Sequence, residues 1–161
     1  MTDESAQIAR NLPVIIHAQY IRDLSFENPN APQVLKPSAG RPEMDMSINI
    51  GMREVKDEEL PGMYEVSLRI RAAAKRGEMT AFIIEVDYAA SVTVGGGVDQ
   101  ETIHPLLMIE IPRLIFPFAR QIIAEMSQQG GFPAVMIAPV DFQTLYVQRF
   151  AQEMEATKQA G

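Results

Sequence analysis

Few side chains in this chain could carry covalent chemistry. There is no cysteine, which removes disulfides, thiolate zinc sites and a thiol nucleophile together. The two histidines, His17 and His104, are too few and too far apart in sequence to suggest a metal site. Neither has the neighbours that a nucleophile relay requires. Gly95-Gly96-Gly97 runs on into Val98-Asp99, so a phosphate cradled there would meet a carboxylate instead of a lysine. We read it as a flexible turn. Asp23 and Glu27 are the most tempting acid–base pair. On an extended strand four residues span about 13 Å, at roughly 3.3 Å each. That is wider than either glycosidase geometry allows. No catalytic residue, metal or cofactor is expected, and the chain is not read as an enzyme.

The elements that must position these groups follow from periodicity. Residues 1–12 are polar and aperiodic, a frayed start. Val14 to Glu27 reads as a strand with Leu24 and Phe26 on one face and Asp23, Ser25 and Glu27 on the other. Asn28 to Pro42 is rich in proline and should form a long crossing loop without regular structure. Met44, Met46, Ile48, Ile50 and Met52 alternate with polar residues or glycine, as do Tyr64 through Ala74, and both read as half-buried strands. A fourth strand, Met79 to Val94, sets Phe82, Ile84, Val86 and Tyr88 against Ile83, Glu85 and Asp87. After Asp99 the period becomes helical. Ile111, Leu114, Ile115, Phe118, Ile122 and Met126 form a stripe, with a bend or a later helix start near Pro117. A last helix opens at Asp141 with Phe142, Leu145, Tyr146, Arg149 and Phe150 on one face, and the polar segment 152–161 should be a mobile tail. Strands followed by helices make one α+β domain over residues 1–161, a four-stranded antiparallel sheet with helices on one face.

Composition narrows the partners. The net charge is -7 and no basic run follows one face, so nucleic acid is not an expected partner. Asp3 and Glu4 stand where a secretory signal would be basic, and no stretch of about 18 residues is free of charge. A cytoplasmic protein without direct membrane insertion is expected. Ten methionines against no tryptophan suit either core filling or a surface that accepts many shapes. The stripe from Met44 to Met52 is thus either core or a groove beside the loop. Asp23, Glu27, Glu85 and Asp87 would make an acidic patch around Ile83 if the first and fourth strands are neighbours, and otherwise a solvated face. The Ile111 to Met126 stripe is either core or a subunit contact.

Three ordered blocks add a resemblance. Asp23-Leu24-Ser25-Phe26-Glu27-Asn28-Pro29-Asn30-Ala31-Pro32 resembles the signature of the SecB family of export chaperones. Ile111 through Arg120 is similar to that family's first long helix, and Gly131-Phe132-Pro133 through Phe142 to its approach to the last one. The resemblance implies an ATP-independent holdase that binds unfolded secretory precursors and delivers them to SecA. It implies a dimer-of-dimers homotetramer, with Leu114, Ile115, Phe118 and Ile122 at the contact between dimers. By matching position, it implies that Asp23, Glu27, Ile83 and Glu85 meet the zinc-bearing C-terminal tail of SecA, the zinc belonging to SecA. It also implies that Met44, Met46 and Ile48 line the client groove. A narrower alternative is a SecB-like chaperone dedicated to one client such as an antitoxin.

Overall fold

The computed structural model describes residues 13–160. Four strands, β1 (Val14–Glu27), β2 (Glu43–Val55), β3 (Met63–Arg76) and β4 (Met79–Val94), form one antiparallel sheet in the order β1-β4-β3-β2. Period-two alternation divides each strand between two faces. On the inward face Val66, Leu68, Ile70 and Ala72 of β3 and Phe82, Ile84 and Val86 of β4 are buried. Each large side chain removed from water there contributes about 1.5–3 kcal/mol.

The helical layer covers that face. It runs through α1 (Gln100–Pro105), a widened π turn at Leu106–Glu110 and α2 (Ile111–Gln129), then closes with α3 (Phe142–Ala160). No break occurs at Pro117, which lies within α2. The irregularity lies upstream, before Pro112, where a missing N–H removes one α-helical partner and a widened turn accommodates the loss. Gly131, at φ +89°, takes the left-handed conformation that ends α2. The segment between the helices is tied down by Ser127, whose buried hydroxyl donates to the Ala124 carbonyl and accepts from the Val135 N–H, each at 2.9 Å. At the start of α3 Asp141 accepts from the Thr144 N–H at 3.1 Å, the N-cap that the sequence announced. That bond, with the Thr144 hydroxyl, holds the Asp141 carboxyl below its ordinary pKa.

Two expectations need correction here. Because β1 and β2 are opposite edges, the 28–42 segment does cross the end of the sheet, but it contains short 3-10 turns at Gln33–Leu35 and Pro37–Ala39. Val34 is fully buried, its carbonyl accepts from Arg76 Nη1 at 2.8 Å, and Asn30 donates to the Thr80 carbonyl at 2.9 Å. Proline forbids a long helix in such a segment without forbidding pinned turns. The polar segment from Gln152 is helical as far as Ala160, being rich in good helix formers and supported by Arg149 with Glu153 at 3.5 Å. The expected frayed start lies outside the described residues.

Candidate functional site

The outward face of the sheet brings the sequence-predicted carboxylates together. Register sets Ser25 opposite Glu85 and Glu27 opposite Ile83, with Asp23 two residues back along β1. Asp23 and Glu27 are exposed, and Ile83 and Glu85 half-buried. Three carboxylates thus surround one apolar side chain on two adjacent strands. Like charges at such spacing are held together at a cost that a cationic partner would offset.

Asp87 lies directly opposite Asp23 and borders that patch, but it is buried and its charge is met by arginine. It is 6% exposed and accepts from Arg69, its register partner on β3, at 3.1 Å, while Arg22 stands 3.9 Å away. Next to it lies a second buried carboxylate, Glu65, which the sequence reading missed. Arg53 Nε donates to Glu65 at 2.8 Å, Arg22 is 3.3 Å away, and the Tyr20 hydroxyl donates to the other oxygen. The Arg53 hydrogen bond is the main reason the Glu65 carboxyl is held below its ordinary pKa. Burial, followed by that same carboxylate, pushes the Tyr20 hydroxyl up to about 12.

The inward side of β2 carries the second candidate surface. Met44 and Met46 are 42% and 36% exposed, and Ile48 is half-buried. Ile48 and Ile50 line a hollow of about 380 Å³ whose other walls are Met108, Leu145, Tyr146 and Arg149. It continues into a second hollow of about 250 Å³ beside His104 and Phe150. Arg149 Nη1 donates to the Ile50 carbonyl at 2.6 Å and so ties α3 to the edge strand. Met44 and Met46 lie farther along β2 and do not line this hollow, nor does the 28–42 loop. Its α3 wall is made of Leu145, Tyr146 and Arg149, which the helical period sets on one face without saying what that face meets.

The expected subunit contact splits. Leu114 and Phe118 are 53% and 51% exposed, and Ile122 is half-buried. Ile115 is fully buried against the sheet layer and is corrected to a core residue. Successive residues on a helix point about 100° apart, so an apolar pair at 114 and 115 serves two faces. Phe118 stacks on Tyr88 at 6.2 Å, next to Ile21, the exposed register partner of Tyr88 on β1. His17 bonds Thr93 at 2.6 Å and His104 bonds Tyr146 at 2.8 Å, far apart in the sheet-and-helix layers. Among the described residues no group of three or more His, Asp or Glu could hold a metal, and no helix is long and apolar enough to cross a membrane.

Comparison with known proteins agrees with this architecture. The family described as preprotein translocase subunit SecB matches residues 7–153. A protein-export protein SecB from Rhodospirillum centenum is 44% identical, covering 91% of this chain and 90% of its own length. One from Rhodospirillum rubrum is 42% identical, covering 99% and 98%. A SecB-like chaperone of Mycobacterium tuberculosis, solved with a peptide from the HigA1 antitoxin, superposes with a TM-score of 0.64 over 84% of this chain and 95% of that one. At 13% identity that likeness shows the fold alone.

Proposed function

The chain belongs to the SecB family, and from that premise we infer how the two faces of its sheet divide the work. It is a protein-export chaperone and not an enzyme, binding unfolded secretory precursors without ATP and delivering them to SecA. On the outward face, Asp23, Glu27 and Glu85 around Ile83 form the SecA contact, taking the basic, zinc-bearing C-terminal tail of that motor. The observation that carries this assignment is the β1–β4 register, which sets Glu27 against Ile83 and Ser25 against Glu85. On the inward side, Met44, Met46 and Ile48 with the hollow under α3 take apolar stretches of the client. Each large side chain buried there contributes about 1.5–3 kcal/mol, offset in part by the cost of ordering an unfolded chain. Leu114, Phe118 and Ile122 form the contact between dimers of a homotetramer, which would cover the apolar surface that α2 leaves open.

A chaperone dedicated to one antitoxin is not favoured. The protein solved with an antitoxin peptide shares the fold at 13% identity, whereas the export relatives share 42–44% over nearly the whole chain. The test is refolding of a slow-folding precursor with the purified chain and no nucleotide. Stoichiometric tetramer should delay refolding several-fold; an unchanged rate would overturn the assignment.

A further inference from the structure

The outward face has a gap beside Ile83. Along that face of β3 stand Arg69, Arg71, Ala73 and Lys75, so one methyl group lies among long side chains. Register places Ala73 between Ile83 on β4 and Asp45 on β2. With Glu27 opposite Ile83, these residues form one row across all four strands. Above Ala73 lies a hollow of about 380 Å³, with Ile83 and Asp45 in its walls and Met44 bordering it from the edge strand. Arg71, Lys75 and Glu43 also line it, so with Asp45 the charges around it cancel, two of each sign. Such a rim selects neither sign. An apolar group entering the hollow instead takes Ile83 and Ala73, both half-buried, further out of water.

We propose that this hollow receives one apolar side chain of the zinc-bearing tail of SecA, which makes Ala73 a specificity-determining position of that contact. The hollow's role depends on the acidic patch being the SecA contact, and Ile83 belongs to both surfaces. Neighbouring strands lie about 4.8 Å apart, so Ala73, two strands from Glu27, is about 10 Å from it across the sheet. A zinc-held fold presents residues distant in its own sequence side by side, so one cation meets Glu27 while an apolar neighbour enters the gap. Binding energy concentrates where an apolar anchor fills a pocket whose surrounding side chains keep water out. The patch then supplies attraction, and the hollow supplies the fit that separates this tail from any other basic segment.

The test is calorimetric titration of the full chain with the zinc-loaded C-terminal tail of SecA as a synthetic peptide. Ala73→Leu, which fills the hollow without changing charge, should weaken tail binding about tenfold. Glu27→Lys should weaken it as well, and both variants should hold an unfolded precursor as tightly as before. Full affinity of Ala73→Leu for the tail, beside a loss in Glu27→Lys, would overturn the inference and leave the acidic contact standing. Full affinity of Glu27→Lys would overturn both. If Ala73→Leu disturbs the fold, methyl NMR of the unmodified chain decides. The tail should move the Ala73 and Ile83 signals and leave that of Ala72, fully buried on the inward face, in place. An Ala73 methyl that stays still while Ile83 moves, or that answers to the precursor instead of the tail, would overturn the inference.

Discussion

The two faces of the sheet are built from alternate residues of the same strands, and both contain side chains removed from water. On the inward face Leu68, Ile70 and Ile84 are buried because helices cover them. On the outward face Glu65 and Asp87 are 6% exposed with no helix above them among the described residues, covered by arginine side chains that themselves face solvent. The inward face therefore depends on volume and shape, and the outward face on charge pairing in a thin layer. One face can be altered in charge while the other holds the fold. A chaperone that must bind a client and a motor at once has use for such a separation.

The comparison can be broken most forcefully from the inward side. Phe82 is 2% exposed and meets the Phe132 ring edge-on at 4.9 Å. Phe82→Ala should cost about 3–5 kcal/mol in denaturant unfolding. A loss as small as that of a surface substitution would show that the helical layer does not anchor this face. Ser127→Ala leaves the Val135 N–H without its acceptor and should cost about 1–3 kcal/mol in the same experiment.

Charge pairing on the outward face is sharpened by pH. The Glu65 carboxyl sits below its ordinary value, so its contribution to stability is complete above the ordinary carboxylate range, about pH 4.3. It is lost as pH falls through the lower, folded-state value. Unfolding midpoints measured from pH 6 downward should therefore fall less steeply for Glu65→Gln than for the unmodified chain. Parallel curves would remove Glu65 from the account of acid sensitivity. The Tyr20 hydroxyl works in the opposite direction, its contribution being complete below about pH 10 and lost as pH rises through about 12. In an ultraviolet titration of the folded chain, Tyr20→Phe should delete a late phenolate step near 12.

Much of this was legible in the residues. The strands Val14–Glu27 and Met79–Val94 follow from period-two alternation that stops at Pro13, Asn28-Pro29 and the glycines from Gly95. The acidic patch was legible once β1 and β4 were taken as neighbours. The misreadings have physical causes. A helix as apolar as α2 has no single stripe, so period alone could not separate Ile115, in the core, from Leu114 and Phe118, at the surface. The polarity of 152–160 carries no apolar stripe to announce a helix, yet Gln, Glu, Ala and Lys are good helix formers and α3 continues through them. The arginine layer needed register: Arg53 faces Glu65 and Arg69 faces Asp87 across consecutive strands, a signal that the two hairpins contained and alternation by itself did not reveal.

One measurement bears most directly on the division of labour. Glu27→Lys with Glu85→Lys should change folding stability by no more than about 1 kcal/mol, roughly 0.5 at each site, since neither is buried. Titrated in parallel against SecA and against an unfolded precursor, the double variant should lose at least tenfold in affinity for SecA and hold the precursor as tightly as before. Equal loss toward both partners would contradict the separation of the two faces.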